Sequence, residues 1–159
     1  EGVITPNGFL DMQALGLPLL ERRGERYYNA FPVTTELLEQ AFSSSRKLTE
    51  RSGRRIAVCR FVTVSSCSGS ESQGERLQQR CDGICENMEG AGAALAAHQL
   101  AVPMLELRGI SNRVGDRERE PWDLQTGMTA AQEAVLQLLR QRVHVETVTG
   151  RQHGKQEPG

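Results

Sequence analysis

The sequence contains no apolar run long enough to cross a bilayer and no basic-then-apolar leader, so neither membrane insertion nor secretion is encoded in it and a cytoplasmic setting is expected. It also lacks an excess of either charge. Nineteen Lys and Arg stand against twenty Asp and Glu, a net charge of -1. The arginines are scattered among acids rather than gathered into a stripe, which argues against nucleic acid as a partner. No CxxC pair occurs: Cys59, Cys67, Cys81 and Cys85 lie at irregular spacings, as suits reduced thiols rather than zinc ligands or a disulfide frame. No metal and no cofactor are expected. "GAGAAL" from Gly90 has two glycines in dinucleotide-loop register but lacks the third, and close helix-sheet packing accounts for it better. No Ser-His-Asp arrangement can be assembled around His98, which reads as a helix-surface histidine.

What is present fits one α/β domain. A chain of 159 residues with 38% hydrophobic residues is long enough for one such core and not for two. The expected domain spans 1–145, and the polar end from 146 to 159 reads as a disordered tail. Pro6-Asn7-Gly8, Gly16, Pro18, Gly24 and Pro32 break the first part into short pieces that could include a hairpin. "TTELLEQAF" predicts a helix capped at Thr34 or Thr35, with Leu37, Leu38, Ala41 and Phe42 buried. Ile56 to about Ser65 reads as a central strand, Cys67 to Arg80 as a loop running into a helix, and Cys85 to Leu100 as a helix. "MLELRGIS" then alternates, setting Glu106, Arg108, Ile110 and Asn112 on one side of a predicted strand. Thr129 and Gln132 have capping-box spacing and predict a last helix that buries Ala134, Val135, Leu138 and Leu139.

Two residues carry the chemistry. Glu89 lies near a helix start, where the dipole favours a carboxylate. A carboxylate accepts two hydrogen bonds at once, which matches the vicinal 2'- and 3'-hydroxyls of a ribose. Met88 beside it can form an apolar floor for the sugar. Asn112, with Ser111, follows the predicted strand at the end where α/β sheets bind ligands. Its amide offers a donor and an acceptor together, as a 6-oxopurine requires. The plain alternatives are a dipole partner for Glu89, a turn residue for Asn112 and a core side chain for Met88.

"NMEGAGAALAA" followed by "VPMLELRGISNRVGDRERE" and then Trp122-Asp123-Leu124 resembles the futalosine hydrolases of the purine nucleoside phosphorylase and nucleosidase superfamily. "TPNGF" at Thr5 to Phe9 and Phe31-Pro32 agree as well, and the resemblance runs from about Gly2 to Val143. It implies a three-layer α/β/α sandwich around a central mixed sheet, a homo-oligomer, and hydrolysis of the N-ribosidic bond of futalosine with release of hypoxanthine, a step of menaquinone biosynthesis. It also implies that Asn112 acts on the base, that Glu89 holds the ribose, and that Cys67, Ser68 and Gly69 line the base pocket. In the family a first strand carries the acid that activates water. Nothing here matches it, so that acid is expected to precede Glu1, leaving the fold incomplete at the N-terminus and the chain inactive alone. A purine nucleoside phosphorylase and a non-catalytic nucleoside-binding fragment are the other readings.

Overall fold

The structure, a computed structural model, describes residues 1–115 and 122–152. Two antiparallel hairpins come first: β1 (Gly2–Thr5) with β2 (Gly8–Asp11), and β3 (Leu20–Arg22) with β4 (Glu25–Tyr27). Helix α1 (Thr35–Ser52) follows, then strand β5 (Arg60–Thr63), helix α2 (Glu71–Cys81), strand β6 (Gly83–Asn87) and helix α3 (Gly90–Leu100). Helix α4 (Leu124–Gln152) comes after these. The chain is of the α/β class. β5 and β6 pair in parallel with Thr63 opposite Asn87, so β5, α2 and β6 make one βαβ crossover. Among the described residues no helix is long and apolar enough to cross a membrane.

Several expectations need correcting. The strand expected over 56–65 is confined to Arg60–Thr63, and Ile56 and Val58 stand exposed before it. Cys85 is not helical. Asp82 adopts the left-handed conformation that closes α2, and burial then alternates residue by residue along β6, a period of two that a search for helical spacing passes over. The Cys67–Arg80 stretch is a loop feeding α2, as its composition suggested.

Among the described residues, the segment predicted as a strand after Pro103 has no regular secondary structure and joins no sheet. Its backbone is bonded elsewhere: Met104 exchanges bonds with Thr34, its N–H donating to the Thr34 hydroxyl at 3.0 Å and its carbonyl accepting from the Thr34 N–H at 2.9 Å. Further on, the carbonyl of Ser111 accepts from the N–H of Asp123 at 2.8 Å. The Thr34 hydroxyl, expected to cap α1, is occupied in this way, although Thr34 does hold the N-cap position.

α1 packs against α4. The most buried positions of α1 are small, Ala41, Ser44 and Ser45, which suits a close helix contact. The buried Ser44 hydroxyl donates to the Ala41 carbonyl. Leu37, Leu38 and Ala41 are shielded as expected, but Phe42 is exposed at the edge of that stripe, and on α4 Val135 and Leu139 are exposed while Ala134 and Leu138 are half-buried. Arg54, just beyond α1, pairs with Glu133 of α4. α4 opens earlier than its capping-box spacing indicated. Asp123 accepts the N–H of Thr126 at 3.0 Å, while the hydroxyl of Thr129 donates back to the Gln125 carbonyl inside the helix. The helix backbone continues to Gln152, past the position 145 at which the domain was expected to end, and no proline intervenes to stop it. Residues 153–159 of the expected tail lie outside the described residues.

His98 is not a bare surface histidine. Its Nε2 donates to the Pro32 carbonyl at 2.8 Å, and its ring lies 4.9 Å from that of Tyr27 and 5.7 Å from that of Phe31. The carbonyl of His98 accepts from the Arg22 guanidinium. The second hairpin is thereby fastened to the end of α3.

Two predictions follow from these contacts. A methyl group on Gly109 would collide with the backbone of Gly127 at the start of α4, so Gly109→Ala should cost about 1–3 kcal/mol in chemical denaturation. Asp123 titrates below its ordinary value of 3.8 because the Thr126 side chain and N–H bond its carboxylate. Its contribution is therefore fully present above pH 3.8, declines as the pH falls, and is gone below the lowered folded value. Asp123→Asn should flatten this acid limb in a pH series of unfolding midpoints.

Candidate active site

Parallel strands bring Thr63 and Asn87 side by side at the carboxyl edge of the β5–β6 pair, where α/β proteins place their ligands. The Thr63 hydroxyl donates to Asn87 Oδ1 at 2.8 Å. The same Oδ1 accepts the N–H of Gly90 at 2.8 Å, and Thr63 Oγ1 accepts the N–H of Ala91 at 2.8 Å. Two of the N–H groups that a helix start leaves unpaired are thus satisfied by the two strand ends. Glu89 occupies the N-cap position of α3 and makes no side-chain cap bond. Its carboxylate is 76% exposed. The strands do the capping, and the carboxylate is left to face outward beside the positive end of the helix.

Below Glu89 lies a cleft of about 380 Å³, lined by Glu89, Gly90 and Ala93 of the α3 start, the Met104–Arg108 segment and Val135. Arg108 stands between two carboxylates. Its Nε donates to Glu106, and its terminal nitrogen approaches Glu89 Oε2 at 3.7 Å, a Coulombic contact longer than a hydrogen bond. Arg108 and Glu106 are the shielded members, with side chains 30% and 18% exposed. Neither was singled out from sequence as a site residue. The signal was there, since opposite charges two apart in an alternating segment must share one side.

The loop after β5 is held from both flanks. Ser68 N–H donates to Glu86 Oε2 and Gly69 N–H to Gln73 Oε1, each at 2.8 Å. Cys67 and Ser68 are half-buried and Gly69 is exposed. Met88 is 51% exposed in the bend before Glu89, which corrects its reading as a core side chain. Ser111 and Asn112 lie further along the segment that carries Arg108. The Ser111 hydroxyl donates to Asn112 Oδ1 at 2.8 Å, and Asn112 Nδ2 donates to the Arg113 carbonyl at 2.7 Å. The amide keeps one lone pair and one N–H for a ligand. Glu89, Gly90, Glu106 and Arg108 come together in the cleft, whereas the 67–69 loop, Met88, Ser111 and Asn112 are outside its lining. Asp116 and Arg117, which carry part of the resemblance, lie outside the described residues.

Residues 4–144 match the model of the phosphorylase superfamily. The chain belongs to that superfamily. It is 30% identical to a futalosine hydrolase of Acidothermus cellulolyticus over 124 residues, 77% of this chain and 46% of the relative. It is 33% identical to a futalosine hydrolase of Thermus thermophilus over 125 residues, 79% of this chain and 52% of the relative. A futalosine hydrolase of Streptomyces coelicolor is 37% identical over 91 residues, 57% of this chain and 38% of the relative. The chain spans about half the length of these relatives or less.

Burial raises the Cys85 thiol above its ordinary pKa, with the nearby Cys59 adding to the effect, and burial raises Cys59 as well. At a given pH both hold less of the reactive thiolate than an unperturbed thiol does. Alkylation at pH 8 followed by peptide mapping should leave Cys85, which is 8% exposed, the slowest of the four cysteines. Asn87→Ala, which strands the Gly90 N–H, should cost about 1–3 kcal/mol in chemical denaturation.

Proposed function

We propose that the protein hydrolyses the N-ribosidic bond of futalosine and releases hypoxanthine, as a step of menaquinone biosynthesis. The observation that carries this reading is the outward carboxylate of Glu89, released from capping by Thr63 and Asn87, in a chain similar to three futalosine hydrolases. Glu89 accepts the 2'- and 3'-hydroxyls of the ribose, and Met88 lies beside the sugar. Asn112, with Ser111, bonds the 6-oxopurine, and the loop of Cys67, Ser68 and Gly69 borders the base. In the reaction the bond from C1' to the purine nitrogen breaks first, its electron pair leaving with the base. Asn112 stabilises the electron-rich purine, the sugar gains oxocarbenium character, water adds its oxygen at C1', and the base takes a proton.

Hydrolysis is favoured over phosphorolysis by the charge of the cleft. Among the described residues lining it, Glu89 and Glu106 outnumber Arg108, and Arg108 is already paired with Glu106. Such surroundings accept hydroxyl groups and repel phosphate. The family's three-layer sandwich with a central mixed sheet is proposed for the whole protein. Exposed apolar residues along α4, among them Leu124, Met128 and Leu136, support a homo-oligomer. Four free cysteines suit a reducing cytoplasm.

Hypoxanthine release from futalosine should proceed equally with and without phosphate, and strict dependence on phosphate would overturn the hydrolase reading. Glu89→Gln should lower kcat by about a hundredfold; near-wild-type turnover removes Glu89 from the site. Asn112→Asp should weaken action on 6-oxopurine nucleosides, read as a fall in kcat/KM.

A further inference from the structure

A Cβ built on Gly90 would lie 2.5 and 2.7 Å from the two carboxylate oxygens of Glu106. No methyl group sits that close to an oxygen, so the missing side chain at the first position of α3 is what leaves room for the Glu106 carboxylate. The place suits an anion, since the α3 start carries positive partial charge. From there Glu106 accepts the Nε–H of Arg108. A guanidinium is a planar, rigid fork, so fixing its Nε edge also fixes where its terminal nitrogens stand, one of them 3.7 Å from Glu89. Because Glu106 takes that edge, Glu89 feels the positive charge without being locked into a close ion pair, and its oxygens remain available to hydroxyl groups.

We infer that Glu106 is a positioning residue for the sugar site, orienting Glu89 through Arg108, and that glycine at position 90 exists to admit it. The inference rests on the nucleosidase reading of Glu89. It is tested by a double-mutant cycle on the full-length protein, with kcat/KM for futalosine as the readout. Gly90→Ala, which pushes the Glu106 carboxylate aside, and Glu106→Ala should each lower kcat/KM by about tenfold or more. The losses should not multiply in the double variant, because with the Glu106 carboxylate gone the methyl group meets only Asn87 Oδ1, at 2.9 Å. Glu106→Gln, which retains an acceptor for Arg108, should recover most of the loss. Losses that multiply in the double variant, a wild-type rate for Glu106→Ala, or no recovery in Glu106→Gln would overturn the assignment.

The ligand-free protein gives a second, independent readout. The Arg108 Nε–H should give a slowly exchanging proton resonance that disappears in Glu106→Ala, and an unchanged signal there also overturns the assignment. Wild-type protein that releases no hypoxanthine would instead overturn the nucleosidase reading, while this spectrum still decides whether Glu106 holds Arg108.

Discussion

The hydrogen-bonded corner formed by Thr63, Asn87, Gly90 and Ala91 is the constraint on which the site depends. Parallel pairing sets Thr63 beside Asn87, and their side chains take over two N–H groups at the start of α3. Most helices use the N-cap side chain for this purpose. Here that residue is Glu89, and relieving it of capping is what lets a carboxylate stand exposed at a helix start. Among the described residues, Asn87 Nδ2 and Glu86 Oε1 are buried without a hydrogen-bond partner.

Packing around this corner serves to hold the Met104–Arg108 segment against it. Thr34 at the start of α1 clamps Met104, and the approach of Gly109 to Gly127 brings the segment onto α4. Between these two anchors Glu106 and Arg108 are pressed toward Gly90. The exposed pairing of Arg108 with Glu89 contributes little to stability. Under the proposed function its worth lies in geometry, since it sets the direction of the side chain proposed to meet two hydroxyl groups at once.

Much of this was legible in the sequence, and the failures have physical causes. α1, with Thr34 at its cap position, was readable because apolar residues recur at helical spacing after a capping residue. The place of Glu89 at a helix start was readable because a run of small and apolar helix formers follows it. β6 was missed because Cys85 to Leu100 read as one helix, and only the left-handed turn at Asp82 separates α2 from the strand. The segment after Pro103 alternates like a strand, yet its backbone partners are Thr34 and Asp123, contacts that no local pattern encodes. The same holds for His98, whose aromatic neighbours are Tyr27 of the second hairpin and Phe31 just after it. Glu106 and Arg108 could be placed on one side of the chain, but their meeting with Gly90 is a tertiary fact.

The central claim is that Glu89 is held outward to grip a ribose. The most direct test is a crystal structure with a purine C-nucleoside, whose carbon–carbon link to the sugar a nucleosidase cannot break. The account predicts both oxygens of Glu89 within hydrogen-bonding distance of the 2'- and 3'-hydroxyls, with Arg108 still on Glu106. A nucleoside bound with its ribose hydroxyls turned away from Glu89 would contradict it.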